Sequence, residues 1–331
     1  MSEIIFQDDL RSCVGEWLAA GKRVAGPKQV KWNRVLYSPI EAADELLLEL
    51  NQHPVNSIKE FFFPKHQKLY GYEIRGNDVL LTEISGPVLQ QVVIGSRPCD
   101  AAALPILDHV FNWDYVDTQY NALRAATTIV TLACTAHDDA CFCTSVGLAP
   151  DAERGSDVLL LELGDGNYEV RCVSAKGKAL FAGKTKSSDR TAPVHNGPEA
   201  KIDSAKVQAF ARDHFDDPFW SQHTLACFGC GMCACNCPTC HCFDIVDEGN
   251  SRGGYRARNW DSCQYTMFTL HASGHNPRAS QPQRQRQRIY HKFHIYPAKF
   301  GEVLCTGCGN CSRNCPAGLG ILNLATEISH G

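Results

Sequence analysis

Along the first half of the chain, apolar residues follow two rhythms. In IEAADELLLELNQ (40–52) they recur at helical spacing among strong helix formers, which predicts a helix. DVLLTEI, QQVVIG, TTIVTLAC and DVLLLEL are short continuous runs that read as strands, several too uniformly apolar to leave one face in water. GDGN (164–167), between DVLLLEL and YEVRCVS, predicts a hairpin loop. AAALPILDHVF supplies a helix between two of the strands. Residues 1–183 are therefore expected to form an α/β domain with an antiparallel extension. Residues 184–202 are polar, contain Ser, Pro and Gly, and lack either rhythm, so they read as a linker. DSAKVQAFARDHF then opens a helix, with Asp203 or Ser204 as its N-cap, and leads into residues 203–331.

Composition changes this picture in one respect. The 331 residues are 44% hydrophobic and 21% charged, with a formal net charge of −4, which gives no reason to expect nucleic acid or a membrane surface. No apolar run approaches membrane-spanning length, and MSEIIFQDDL carries acids where a signal peptide has a basic start. The outlier is the count of 18 cysteines. In a chain of this length, expected in a reducing cytoplasm, clustered thiols point to metal ligation rather than disulfides.

The segment CFGCGMCACNCPTCHC (227–242) places seven cysteines in sixteen positions. Four of them form Cys227-x2-Cys230-x2-Cys233-x3-Cys237-Pro238, and the pattern returns as Cys305-x2-Cys308-x2-Cys311-x3-Cys315-Pro316. This is the spacing of bacterial two-cluster ferredoxins, where the fourth cysteine of each run ligates the other cluster. The expected ligand sets are Cys227, Cys230, Cys233 and Cys315 for one [4Fe–4S] cluster, and Cys305, Cys308, Cys311 and Cys237 for a second. Zinc usually takes two separated pairs and leaves half of these thiols unused. Cys235 reads as a small buried hydrophobe. Cys240, Cys242 and Cys263 read as shielding thiols, although they could supply three ligands to another site.

A second set lies in the first domain. Cys99 follows one predicted strand and Cys134 ends another. If the two strands are parallel neighbours, both thiols emerge at the carboxyl edge of the sheet, where cofactors bind in such folds. CFC (141–143) returns nearby, so Cys99, Cys134, Cys141 and Cys143 could hold a third [4Fe–4S] cluster. The alternative is two core thiols and an unrelated loop.

Between the two runs lies a long insert, residues 244–300. Its part from 252 to 299 carries seven Arg and two Lys against one acid, Asp261. Guanidinium groups near an anionic cluster raise its potential or steer an acidic partner. The plainer reading is a solvated basic surface, which is expected to cover part of PQRQRQR. Nucleic acid is disfavoured, because the cluster ligands account for the region better than Tyr255, Trp260 and Tyr290 as stacking platforms. No GxGxxG, Walker loop or nucleophile elbow is present. His109, His137 and His241 read as packing or hydrogen-bonding groups, so no catalytic residue is assigned.

The motifs IKEFFFPKHQKLYGYE, GSRPCDAAALPILDHVF, CFC, CPTC, RNWDSC, ASGHNPR and HKF, in this order, make the chain resemble a family. These are the iron–sulfur electron-transfer subunits typified by the beta subunit of sulfhydrogenase and by the corresponding iron–sulfur component of anaerobic sulfite reductase. Cys235 and the glutamine-rich stretch depart from what the family leads one to expect. The resemblance implies a cytoplasmic, non-catalytic subunit. It would relay single electrons between a flavin-bearing, NAD(P)H- or ferredoxin-linked partner and a catalytic subunit of hydrogenase or reductase type. A rival reading is an iron–sulfur sensor that uses the basic insert to bind a partner or nucleic acid. A catalytic site at an incompletely ligated cluster near Cys240 and Cys263 is a further alternative.

Overall fold

The computed structural model describes residues 2–331 apart from 50, 51, 85, 87 and 194. Its strands are β1 (Ser2–Ile5), β2 (Arg23–Val30), β3 (Arg34–Ile40), β4 (His66–Arg75), β5 (Asp78–Glu83), β6 (Gln91–Ser96), β7 (Thr127–Leu132), β8 (Val158–Glu162), β9 (Tyr168–Cys172), β10 (Lys186–Ser188), β11 (Phe243–Asn250) and β12 (Gly253–Trp260). The longer helices are α1 (Gln7–Ala19), α2 (Ala103–Phe111), α3 (Thr118–Ala126), α4 (Ser204–Asp213), α5 (Gln281–Tyr290) and α6 (Ile321–His330).

The continuous apolar runs become the centre of an eight-stranded sheet, in the order β10-β1-β9-β8-β7-β6-β2-β3. Strands β2, β6, β7 and β8 run parallel, and antiparallel strands extend both ends. Both faces of the centre are covered. Val92, Ile94, Val130 and Leu132 pack with Leu10, Val14 and Trp17 of α1. Val93 and Ile129 point the other way, onto Leu104, Leu107 and Phe111 of α2 and Tyr120 of α3. Each such side chain contributes roughly 1.5–3 kcal/mol of burial, and a strand covered on two faces has no use for alternation. The β8–β9 hairpin closes through residues 163–167, with the Leu163 amide donating to Asn167 at 2.8 Å. Asp203 caps α4 by accepting from the amides of Ala205 and Lys206 at 2.9 and 3.1 Å. The mixed α/β architecture thus agrees with the periodicity of the first half.

A second, antiparallel sheet has the order β11-β12-β4-β5. Two of its strands precede residues 184–202 and two follow them. The junction is well pinned. The Trp260 indole donates to the Phe63 carbonyl at 2.9 Å, and the Lys59 ammonium sits 3.9 Å from the centre of that indole ring. Arg258, 4% exposed, pairs with Asp117 and donates to Gln67 at 2.6 Å.

Three local expectations are corrected. Residues 40–52 do not form a helix among the described positions; positions 50 and 51 lie outside them. A single 3-10 turn at Ala43–Glu45 gives way to extended chain, in which the Leu47 amide donates to Pro27 and Leu46 and Leu48 are buried. Burial at every second position next to β2 overrides helix propensity here. DVLLTEI forms β5 but is exposed along its length, because it is an edge strand of the smaller sheet. PQRQRQR is not a solvated surface tract. It lies in α5, where Arg284, Gln285, Arg288 and Ile289 are buried and a capping box at Ser280 and Gln283 starts the helix. Among the described residues no helix is long and apolar enough to cross a membrane.

Candidate metal centres

Each cysteine run folds as a tight loop feeding a single helical turn, Met232–Cys235 in the first and Asn310–Arg313 in the second. The loops depend on glycine. Gly231 has φ +74°, and a Cβ there would lie 2.5 Å from the Tyr265 ring. Gly307 has φ +64°, and its Cβ would lie 2.5 Å from the backbone of Cys143. The second loop is therefore pressed against the CFC segment, and the Phe142 amide donates to the Gly307 carbonyl at 2.9 Å.

The predicted thiols gather in three cavities. Cys227, Cys230, Cys233 and Cys315 line the first, together with Gln264, Gln285 and Leu319. Cys237, Cys305, Cys308 and Cys311 line the second, with Lys292, Phe142 and Ile321. Cys99, Cys134, Cys141 and Cys143 line the third, with His53 and His137. Cys99 and Cys134 reach it from the carboxyl ends of the parallel neighbours β6 and β7. Cys233 lines both the first and second cavities, and Cys308 both the second and third. The three spaces thus form a series with single cysteines in the dividing walls.

Polar groups aim at the sulfurs. Gln281 and Gln285 donate to Cys227 at 3.2 and 2.9 Å. Backbone amides of Leu319, Ile321 and Gly307 point to Cys315, Cys311 and Cys305 at 3.2, 3.3 and 3.5 Å. The Lys292 ammonium donates to Cys237 at 3.4 Å, and Arg313 donates to Cys141 at 3.0 Å. Burial pushes the thiols of Cys233 and Cys143 up to about 11 and that of Cys305 to about 12. Cys237 moves the other way: a hydrogen bond from Cys240, with the Lys292 charge, holds it well below an ordinary thiol. Buried thiols ionise at neutral pH when a cation coordinates them. At the first two cavities, four thiols, amides directed at their sulfurs and a buried cation alongside fit the chemistry of a [4Fe–4S] cluster; the third offers four thiols with Arg313 on Cys141 and Arg97 on Cys134.

The other predicted residues fall elsewhere. Cys240 hydrogen-bonds to Cys237, while Cys242 and Cys263 are free thiols joined by a hydrogen bond. Cys235 meets the Tyr265 hydroxyl. His241 is held neutral, its pKa lowered to about 4 by burial, and it contacts the Thr239 carbonyl at 3.0 Å. His109 stacks on Phe300 and faces Glu302. Sequence reading missed His53, whose Nε2 lies 3.7 Å from Cys141, and it missed the inward-facing Lys59, Lys292 and Arg313. His53, Asp138 and Cys141 have ligand atoms within 4.8 Å of one another, but Arg313 already occupies that corner, forked onto Asp138 at 2.5 and 2.8 Å. The missed cations have a sequence signal only in retrospect, since each stands within a motif of the family resemblance or beside a cysteine run.

Comparison with known proteins bears on the same residues. Residues 226–319 match the 4Fe-4S dicluster domain family. The chain is 30% identical over 324 residues to sulfhydrogenase 2 subunit beta of Pyrococcus furiosus, an alignment covering 93% of each chain. No solved structure gives a significant match.

Proposed function

Since the chain belongs to the family of sulfhydrogenase beta subunits and carries a 4Fe-4S dicluster domain, we propose that it is an electron-transfer subunit holding three [4Fe–4S] clusters. The ligand sets are Cys227, Cys230, Cys233 and Cys315; Cys237, Cys305, Cys308 and Cys311; and Cys99, Cys134, Cys141 and Cys143. When bound, such clusters supply reversible one-electron chemistry. The observation that carries the reading is the series of three four-cysteine cavities joined through Cys233 and Cys308.

The chain's own residues do the rest. Thiolates fix each position, amides of Gln281, Gln285, Leu319 and Ile321 stabilise charge on sulfur, and packing of Phe142 and Ile321 keeps water from the middle site. Cys230 is exposed, which makes the first site the natural point of contact with a redox partner. The partners proposed are a hydrogenase-type catalytic subunit, following the relative's name, and a flavin-bearing NAD(P)H- or ferredoxin-linked subunit, in the cytoplasm. The sensor alternative draws less support, because Arg258, Arg284, Arg288 and Lys292 of the insert are buried rather than displayed.

Anaerobic purification from the native host, with iron and sulfide analysis, tests this. About twelve irons per chain and stoichiometric co-elution with a hydrogenase-type subunit are expected. About eight irons with full electron transfer removes the third cluster, and a colourless zinc protein removes the proposal.

A further inference from the structure

We propose that buried cations of this chain grade the potentials of the three clusters so that the middle one, at Cys237, Cys305, Cys308 and Cys311, is the most readily reduced. The inference rests on the cluster assignment above. Lys292 is 3% exposed, and its ammonium meets the Leu304 carbonyl at 2.8 Å, the Thr239 hydroxyl at 3.0 Å and Cys237 at 3.4 Å. Arg288, 2% exposed, spends one nitrogen on the Leu319 carbonyl at 2.6 Å. Its Nε and Nη1 meet no oxygen or nitrogen acceptor among the described residues, and the guanidinium faces Cys233. Its charge acts on Cys233 of the first site and Cys311 of the second. Among the described residues no carboxylate forms an ion pair with Lys292 or Arg288.

The outer sites differ. At the third, the guanidinium of Arg313 is forked onto Asp138, so its charge is largely offset where it meets Cys141. At the first, the side-chain donors to Cys227 are the neutral amides of Gln281 and Gln285. Reduction adds one electron to a buried anion. An uncompensated cation a few ångströms away favours that step more than a neutral dipole or a neutralised ion pair does. The middle site faces Lys292 and Arg288, and the buried Lys59 also acts on its Cys237; the first site shares only Arg288; at the third, Arg97 reaches Cys134 with Asp100 beside it, as Arg313 has Asp138.

The test is a redox titration of the anaerobic holoprotein followed by electron paramagnetic resonance, with iron measured on each sample. Lys292→Met is expected to lower one couple, the highest of the unmodified protein, by at least tenfold in its reduction equilibrium, or 59 mV for one electron. Arg288→Met is expected to lower two couples, that one included, and Arg288→Lys to restore most of the shift. Lys292→Gln, which keeps a donor without the charge, decides on the same readout if Lys292→Met does not retain iron. Full iron with unmoved potentials, or a shift confined to the lowest couple, overturns the grading and leaves the cluster assignment standing. Unmodified protein without iron overturns the assignment itself.

Discussion

Gly307→Ala tests how far the second cysteine loop and the CFC segment depend on each other. The added Cβ would lie 2.5 Å from both N and Cα of Cys143 and 2.6 Å from the carbonyl carbon of Phe142. All three are backbone atoms, so no rotamer change relieves the contact. Holding Ala at φ +64° costs about 1 kcal/mol by itself. Loss of the Phe142-to-Gly307 hydrogen bond adds about 1 kcal/mol. Phe142 is 1% exposed, and partial withdrawal from its core adds about 1–2 kcal/mol. The sum is about 3–4 kcal/mol, concentrated where the third cavity adjoins the second. Gly318→Ala is the control: its φ is +65°, and its Cβ would meet nothing within 4 Å, so only the strain of about 1 kcal/mol applies. Iron per chain and a thermal unfolding midpoint, both measured anaerobically, read the outcome. Gly307→Ala is expected to lose about four irons and several degrees, while Gly318→Ala stays near the parent. Equal behaviour of the two variants would refute a packed contact between Gly307 and Cys143.

Other outcomes follow from the same geometry. Arg258→Met removes the buried partner of Asp117 and is expected to cost about 3 kcal/mol in urea unfolding, the low end for a buried pair because Asp117 is partly exposed; a loss below about 1 kcal/mol contradicts this. His291 has its pKa lowered to about 3, by burial first and by neighbouring His241 second. The unfolded chain therefore takes up the proton first, and stability falls as pH drops below about 6.5, by about 1.4 kcal/mol per unit down to about 3. His291→Gln should lose less stability than the parent between pH 7 and pH 5, and identical slopes would count against the assignment. Cys315→Ser should lose iron from one site only, while Cys235→Ala should keep the full complement; iron loss in Cys235→Ala would make Cys235 a ligand.

What the sequence discloses depends on how local the cause is. The dicluster pattern is legible because three of the proposed ligands of each site fall within seven residues, and chain geometry makes that spacing specific. Cys99 and Cys134 are legible at one remove, through the rule that parallel strands end at a common edge. The β12–β4 pairing joins Gly253 to Glu73 and Asn259 to His66, and nothing local announces a partner so distant. The stretch at 40–52 misleads because its leucines satisfy both periods, and only the neighbouring strand decides between them. Arg284, Arg286 and Arg288 look like surface in sequence, since isolated charges avoid burial. Anionic sulfur reverses that preference for Arg288, and no propensity encodes it.

The middle cavity explains why the two halves of the chain are so tightly engaged. Its wall is built from both: Phe142 comes from the CFC loop, Lys292 from the segment after α5, and Ile321 from the start of α6. Phe142 also sits in one core with Val207, Phe293, Leu324 and Ile328, so the third site's loop is anchored in the hydrophobic interior of the thiol-rich half. Arg313 adds a polar tie, joining Asp138 to the Cys308 carbonyl at 2.6 Å. Metal binding free energy is folding free energy wherever the ligands do not preassemble. Filling the middle cavity should then order the walls that Cys233 and Cys308 share with its neighbours. A loop that carried Cys141 and Cys143 on a loosely attached domain would let the third site drift relative to the second. The electron transfer proposed between these two sites would tolerate little such drift, which would give a physical reason for the sheet and the cysteine loops to be locked at this seam.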